Sequence, residues 1–153
     1  MPQKSAGILP YRWRNNEPEF FLVHPGGPFW SGKEKGSWSV VKGEVEEGED
    51  LLQAAIREFK EETGFIPREP FLPLQPVRQK SGKMVFVWAT NMELDPLKLK
   101  SNTFSVEWPP RSGIVRAFPE IDKGEWMELQ KAGVCILPAQ KPLLDALHNI
   151  LTV

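Results

Sequence analysis

Three glutamates near the middle of the chain have the type and spacing of metal-binding residues. Glu58, Glu61 and Glu62 stand at positions i, i+3 and i+4, and a helix turning about 100° per residue projects all three from one side. Like charges at these spacings destabilise a helix by roughly a few tenths of a kcal/mol per pair. Because carboxylate oxygens bind hard divalent cations, especially Mg²⁺, the array makes sense if a metal neutralises it.

Arg57 and Glu49 are the residues that we expect to hold this array in place. Arg57 follows Glu49 by eight residues, and Glu49 falls at the start of the predicted helix, where the helix dipole favours a carboxylate. An ion pair between them across two turns would fix both the start of the helix and the orientation of the glutamates.

The spacing of these residues resembles the Nudix box, which has the pattern G-x5-E-x7-R-E-U-x-E-E-x-G-U, where U is apolar. The matching stretch is GEVEEGEDLLQAAIREFKEETGF, which spans 23 residues and fills every defined position. Phe59 stands where a branched aliphatic residue is more usual, which concerns packing rather than chemistry. The alternative is a solvated acidic helix face, but that explains neither Gly43, nor Arg57, nor the register.

The resemblance implies an enzyme that hydrolyses a pyrophosphate bond in a nucleoside diphosphate linked to another group, with Mg²⁺ or Mn²⁺ as cofactor. Carried onto this chain, the metal ligands would be the side chains of Glu58, Glu61 and Glu62. The backbone carbonyl of Lys42 would be a further ligand, and Gly43 would let its loop approach the helix closely. The metal would bridge phosphate oxygens and lower the pKa of the attacking water.

The box does not define which carboxylate is the general base, so several candidates stay open. Glu58 and Glu61 are the catalytic candidates inside the box. Outside it, Glu120 in FPEIDKGEWM resembles a loop glutamate that meets the metals in MutT-like members, so it is both a catalytic and a metal-ligand candidate. Glu107 in SVEW is its competitor, and an exposed surface acid is the other role open to each.

The substrate is less sharply defined than the reaction. The lead-in GSWSVVKGE is similar to that of dinucleoside polyphosphate hydrolases, although Val41 replaces their usual proline. We therefore expect a small-molecule nucleotide substrate, a dinucleoside polyphosphate first and a (deoxy)nucleoside triphosphate second. The alternative function is a nucleotide-sensing module with little turnover. The substrate-binding candidates are Lys42, Arg12, Arg14, Tyr11 and Trp88.

The remaining aromatic and histidine residues have structural roles by default. His24 could touch a phosphate, but hydrogen bonding at a strand end is the commoner role for such a histidine. HPGGP lacks the lysine and serine of a phosphate-binding loop, so its glycines indicate loop geometry. We expect four tryptophans mostly in the core, with one of them or Tyr11 free to stack on a base. These are Trp13, Trp30, Trp38 and Trp88.

The predicted elements place the glutamate array on a helix that follows two strands. Strands are predicted over AGILPYRW and EFFLVHP, with a turn at RNNEPE between them and a surface loop over HPGGPFWSGKEKG. Apolar residues at spacings of three and four predict a helix over residues 49–63, with Gly64 as its C-cap glycine.

The second half of the sequence predicts further strands and a closing helix. FLPLQPVRQ and KMVFVWATN indicate strands, residues 93–118 indicate loops and short edge strands, and GEWMELQKAG indicates a strand leading into a short helix. KPLLDALHNIL indicates a helix whose apolar face comprises Leu143, Leu147, Ile150 and Leu151. We therefore predict one α+β domain over residues 1–153. Its mixed sheet would be packed between the box helix and the C-terminal helix, as in an α/β/α Nudix sandwich.

The composition argues against several classes of protein. Nineteen Lys plus Arg balance twenty Asp plus Glu, so stable binding to nucleic acid or to an anionic membrane is not expected. No apolar run is long enough for a transmembrane helix, and MPQKSAGILPYRW lacks the features of a secretory signal. The single cysteine, Cys135, indicates a buried core thiol in a reducing cytoplasm. We expect a monomer or a homodimer.

Overall fold

The structure is a computed structural model that describes residues 3–153. It contains a seven-stranded mixed sheet, a separate two-stranded ribbon and three α-helices. The strands are β1 (Lys4–Arg14), β2 (Glu17–Pro25), β3 (Val41–Glu44), β4 (Leu72–Pro73), β5 (Val77–Arg78), β6 (Met84–Asn91), β7 (Thr103–Glu107), β8 (Val115–Pro119) and β9 (Ile121–Glu128). The helices are α1 (Leu51–Thr63), α2 (Leu129–Cys135) and α3 (Lys141–Leu151).

Strand β1 organises the sheet because its length lets it pair with three other strands. Its last residues form an antiparallel hairpin with β2, and the tight turn between them is made by Asn15 and Asn16, whose φ angles are 51° and 65°. Asparagine tolerates this left-handed conformation better than most residues. The first half of β1 pairs with β3, and its opposite edge pairs in parallel with β6. Strand β9 extends the sheet beyond β2.

Side chains that alternate along the strands supply two cores, one on each face of the sheet. In β2, Phe21 and Val23 face helix α1, whereas Phe20 and Leu22 face helices α2 and α3. Helix α1 is held on its face by Ala54, Ala55 and Phe59, all fully buried. Leu143, Leu144 and Leu147 of α3 are equally buried on the other face. The predicted α+β sandwich between the box helix and the C-terminal helix is therefore confirmed.

Several element predictions need correction. Residues 93–118 were expected to form loops and edge strands, but β7 and β8 pair only with each other, as a ribbon separate from the main sheet. Trp13 and Trp30 are 44% and 38% exposed, so the core prediction is wrong for these two, whereas Trp38 is buried. Ile150 is half exposed because it lies at the edge of the apolar stripe of α3, whereas Leu151 in the same turn packs against the core.

The buried cysteine is as predicted, and the helices in the described part of the chain are short. Cys135 is a free thiol in the core between α2, α3 and the sheet, and burial raises its pKa above the ordinary value. Within residues 3–153, no helix has the length and apolar character needed to cross a membrane.

Candidate active site

Helix α1 begins and ends at residues suited to capping it. The side chain of Asp50 accepts a hydrogen bond from the backbone N–H of Gln53 at 3.1 Å, which makes Asp50 the N-cap. Gly64 ends the helix with a φ of 79°, as the sequence predicted. Glu49 thus precedes the cap instead of lying in the first turn. Its Oε1 accepts a hydrogen bond from the backbone N–H of Glu46 at 3.1 Å.

Arg57 is bonded to groups on both sides of the N-cap. Its Nε and Nη2 donate to the two carboxylate oxygens of Glu49 at 2.8 and 3.0 Å, so the predicted ion pair is present and bidentate. Nη2 also donates to the backbone carbonyl of Glu44 at 3.1 Å, and Nη1 donates to Glu58 Oε1 at 3.0 Å. Hydrogen bonding from Arg57, and then from the Glu46 backbone, lowers the pKa of Glu49 to about 2. The guanidinium therefore ties the loop before α1 to the box glutamates.

Gly43 in strand β3 lies directly against the carboxyl group of Glu58. A Cβ atom at position 43 would stand 2.0 Å from Glu58 Cδ, which is far inside van der Waals contact. The close approach between loop and helix expected of this glycine is therefore present. Burial raises the pKa of Glu58 and outweighs the opposing effect of Arg57.

Glu62 and Glu120 meet at a groove with a volume of about 260 Å³. Burial, followed by the charges of Glu120, Glu58 and Glu61, raises the pKa of Glu62 to about 7. Lys42 lines the same groove, and burial and nearby Lys83 lower its pKa. A groove that holds a glutamate and a lysine, both with shifted pKa values, is typical of a functional site.

The two glutamates outside the box occupy different places. Glu120 joins β8 to β9, and its backbone is held by hydrogen bonds to Asn102 and Gly26 at 2.8 and 2.9 Å. Glu107 lies at the end of β7, where its Oε1 accepts from the backbone N–H of Arg111 at 2.7 Å. The fold thus brings Glu120 to Glu62 and leaves Glu107 on the ribbon.

The carboxylates have the chemistry to hold a divalent cation. Within residues 3–153, no three His, Cys, Asp or Glu side chains are already drawn together as a metal-binding set. Arg57 contacts both Glu58 and Glu61, the latter at 3.3 Å. After burial, the charges of the neighbouring glutamates raise the pKa of Glu62. Mg²⁺ or Mn²⁺ would relieve that repulsion and binds carboxylate oxygens. The chemistry of the residues present therefore fits the metal.

The substrate-binding candidates do not gather in one place. Only Lys42 lines the groove with Glu62 and Glu120. Arg12 is paired with Glu19 and Glu93 at 2.8 and 3.0 Å. Tyr11 packs against the core on the α2 and α3 side, Trp88 packs against the core on the α1 side, and Arg14 is exposed at the end of β1.

His24 has the hydrogen bonds that its position predicted. The ring is 2% exposed, with Nδ1 2.9 Å from Asp122 Oδ1 and Nε2 2.5 Å from the backbone carbonyl of Lys33. It therefore ties the loop after β2 to strand β9.

Among the residues that close the groove, sequence reasoning named Trp30 as a possible stacking residue but missed Ser39 and Gly26. Trp30 lines the groove from the loop after β2, and Ser39 lines it from the segment before β3. Gly26 hydrogen-bonds the backbone of Glu120, as described above. The adjacent glycines in HPGGP were the available signal, because two glycines in succession often mark a close approach between backbones.

Comparisons with known proteins agree with this fold. A family model of the NUDIX domain matches residues 1–147. An octanoyltransferase from Myxococcus xanthus is 30% identical over 131 residues, which are 86% of this chain and 32% of that protein. An asymmetrical bis(5'-nucleosyl)-tetraphosphatase from Caenorhabditis elegans is 42% identical over 69 residues, which are 45% of this chain and 46% of that protein. The chain thus spans less than half the length of either relative.

Solved structures share the fold over nearly the whole chain. A C. elegans Ap4A hydrolase in a binary complex has a TM-score of 0.67 and 24% identity, covering 96% of this chain and 97% of that one. The NUDIX domain of Shewanella oneidensis NrtR, complexed with ADP ribose, has a TM-score of 0.67 and 15% identity, covering 99% and 90%. At sequence identities this low, the structural similarity shows a common fold and nothing finer.

Proposed function

The chain belongs to the NUDIX domain family, and we propose that it is a pyrophosphohydrolase that acts on a nucleoside diphosphate linked to another moiety. The observation that carries the proposal is the meeting of Glu62 and Glu120 beside Lys42 in one groove. Glu58 lies near enough for its charge to act on both Glu62 and Lys42. A structural domain has no need for such a carboxylate cluster, since repulsion within it opposes folding.

Mg²⁺ or Mn²⁺ bound to this cluster would supply Lewis-acid chemistry and a more acidic water. The ligands that we propose are the carboxylates of Glu58, Glu61, Glu62 and Glu120 together with the backbone carbonyl of Lys42. Lys42 lines the groove, where its ammonium group would offset the charge of the substrate's phosphates.

The protein's own residues also have positioning and proton-transfer roles in this proposal. Arg57 holds Glu58 and Glu61 in orientation through its hydrogen bonds. Gly43 leaves room for the Glu58 carboxyl group. Glu58, Glu61 and Glu120 are the candidates to take the proton from the attacking water, because a carboxylate within hydrogen-bond reach of that water can act as the general base.

The proposed substrate is a dinucleoside polyphosphate first and a (deoxy)nucleoside triphosphate second. The lead-in before Gly43 supports this order, as does the tetraphosphatase relative, whose matched part is the more similar of the two relatives described. The single cysteine, Cys135, is free and buried, which fits a reducing compartment such as the cytoplasm.

A nucleotide panel tests the proposal directly. Purified protein is incubated with dinucleoside polyphosphates, nucleoside triphosphates and ADP-ribose, with Mg²⁺ or with a chelator, and the products are resolved by chromatography. The product pair identifies both the substrate and the bond that is cleaved. Metal-dependent turnover is expected. Nucleotide binding without turnover on any member would favour a sensing module.

Glu61→Gln is the variant that separates an enzyme from a structural domain. Turnover should fall by orders of magnitude, while circular dichroism and thermal unfolding stay close to those of the wild type. Glu47→Gln, which changes an exposed glutamate in the same segment, is the matched control. Equal activity of the two variants would remove Glu61 from the catalytic assignment.

A further inference from the structure

The ribbon formed by β7 and β8 lies beside the loop after β2 and encloses a second cavity with it. This cavity, which we call the aromatic cleft, has a volume of about 520 Å³. Its walls come from both segments and from the start of β9. They include Gly27, Ser31, Trp108, Phe118, Pro119 and Asp122.

The aromatic cleft adjoins the groove that holds the carboxylate cluster. Pro119 lines the cleft and the next residue, Glu120, lines the groove. Ser31 lines the cleft and the preceding residue, Trp30, lines the groove. The two cavities therefore have neighbouring residues in their walls at two points, and we expect a ligand with its phosphates in the groove to reach the cleft.

Two glycines allow the ribbon to lie against the loop. A Cβ atom at Gly26 would stand 1.9 Å from the carbonyl oxygen of Pro119, and one at Gly27 would stand 2.7 Å from Phe104 Cζ. Gly27 also has a φ of 95°, which side-chain-bearing residues rarely adopt. Any larger residue at these two positions would push the ribbon away, so the sequence HPGGP serves to close the cleft.

Two aromatic rings meet at the edge of the cleft. They are Trp108, which lines the cleft and is half-buried, and the exposed Phe29 beside it. Phe29 is 54% exposed and meets Trp108 edge-on, with ring centroids 5.4 Å apart and an interplanar angle of 76°. Exposed aromatic groups beside a polar site are typical of surfaces that bind a flat ligand. Asp122 adds a carboxylate whose Oδ1 is bonded to His24, and its side chain is still 37% exposed. Such a carboxylate accepts hydrogen bonds from the amino or imino edge of a purine.

We propose that the aromatic cleft binds the purine base of the nucleotide whose phosphates occupy the groove. This inference rests on the proposed function and adds the site where the base binds. Phe29 and Trp108 would stack on the base, and Asp122 would accept a hydrogen bond from its edge. Stacking of a base on an aromatic side chain is sequence-tolerant and strong enough to change affinity by tenfold or more.

The experiment compares ligands with and without a base. Binding of ADP, GDP and inorganic tripolyphosphate is measured by titration calorimetry with Mg²⁺, and KM and kcat are measured on the best nucleotide from the panel. The variants are Phe29→Ala and Trp108→Ala, with Phe29→Tyr and Trp108→Phe as ring-preserving partners. Trp13→Ala is the control because it removes an exposed tryptophan near the tip of the β1–β2 hairpin, outside the lining of the cleft and of the groove.

Phe29→Ala and Trp108→Ala should each weaken ADP or GDP binding and raise KM by about tenfold, with kcat little changed. Tripolyphosphate binding should stay within about twofold, and the ring-preserving variants and Trp13→Ala should match the wild type. If Trp108→Ala unfolds, the test of the inference rests on Phe29→Ala alone, since the Phe29 side chain is more than half exposed and its removal should not unfold the protein.

Two outcomes would overturn the inference. Both are read from binding, so they hold whether or not the protein turns over a nucleotide. One is unchanged purine nucleotide binding in Phe29→Ala. The other is an equal loss of tripolyphosphate binding, which would mean that the variants disturb the groove. Turnover with unchanged KM in these variants would leave the proposed function standing, whereas purine binding without turnover would leave the cleft standing and refute the enzyme.

Discussion

Arg57 and Glu49 are joined by two hydrogen bonds, Nε to Oε2 at 2.8 Å and Nη2 to Oε1 at 3.0 Å, across the start of helix α1. These two bonds use Nε and Nη2 of the guanidinium, so Nη1 is free to donate to Glu58 and Glu61. A lysine carries the same charge but presents a single ammonium group, so it cannot bond Glu49 in this way and contact the box glutamates at the same time.

We therefore predict that Arg57→Lys lowers turnover by roughly 10- to 100-fold, because the groups that orient metal-binding carboxylates usually contribute that much. The free energy of unfolding should fall by only about 1 kcal/mol, since the pair is partly exposed. Steady-state kinetics and urea unfolding measure the two effects. Lys60→Arg, on the exposed side of the same helix, is the control and should behave like the wild type. Full activity in Arg57→Lys would show that the bidentate geometry is dispensable.

Glu120 and Glu107 provide a matched pair for locating catalysis outside the box. Glu120→Gln should lower turnover by about 100-fold or more, because Glu120 meets Glu62 in the groove. Glu107→Gln should leave turnover unchanged, since that side chain bonds the backbone of Arg111 on the ribbon. Initial rates at saturating Mg²⁺ and nucleotide test both. The reverse ranking of the two variants would contradict the assignment.

Gly43 should tolerate no side chain. In Gly43→Ala the new Cβ atom would overlap the carboxyl group of Glu58, so Glu58 must move. A displacement of about 1 Å at a reacting site costs roughly 100-fold in rate, and we expect a loss of that size. Mn²⁺ affinity, measured by calorimetry, should fall as well.

Gly133→Ala is the control for that substitution. Gly133 lies in helix α2, where the nearest atom to an added Cβ is the flexible Lys141 Cε at 3.4 Å. Activity should be unchanged, and the free energy of unfolding should be equal or higher by about 0.5–1 kcal/mol. Undiminished Mn²⁺ binding and turnover in Gly43→Ala would refute the steric argument.

The sequence predicts those parts of the site that lie close together along the chain. Glu49, Arg57 and the capping glycine Gly64 belong to one helix and its flanks, so helical geometry alone gives their relationship. The apolar stripe predicts which face of α1 is buried because burial follows the 3.6-residue period. The same holds for most of α3, but not for Ile150, which lies at the edge of the apolar stripe, where helical spacing alone does not predict burial.

The parts that the sequence does not predict depend on contacts between distant segments. Glu120 reaches Glu62 only because the ribbon folds back against the loop after β2. That contact joins Gly26 to Glu120, which are almost a hundred positions apart in the sequence. Alternation alone could not show that β7 and β8 pair with each other instead of extending the main sheet. Tryptophan is usually buried, but Trp30 is exposed because it lies in the loop after β2. The separation of Tyr11 from Trp88 likewise follows from the pairing of β1 with β6, which places the two rings on opposite faces.

The raised pKa of Glu62 makes stability depend on pH in the absence of metal. The pKa of Glu62 in the folded protein is about 7, because of burial and then the charge of Glu120, against an ordinary value of 4.5. Between these two pH values the folded state keeps a proton that the unfolded state has released. The free energy of unfolding therefore falls as pH rises through this window and levels off above it.

Urea unfolding in a chelator at about pH 5 and pH 8 measures this effect. The shift would correspond to roughly 3 kcal/mol for a fully enclosed group, and partial exposure reduces our expectation to about 1–2 kcal/mol. Glu62→Gln should lose that part of the pH dependence, whereas Glu47→Gln, an exposed glutamate, should keep it. Adding Mg²⁺ at pH 8 should restore more stability to the wild type than to Glu62→Gln, because a ligand that binds only the folded state stabilises it. The same pH dependence in Glu62→Gln as in the wild type would place the titrating group elsewhere.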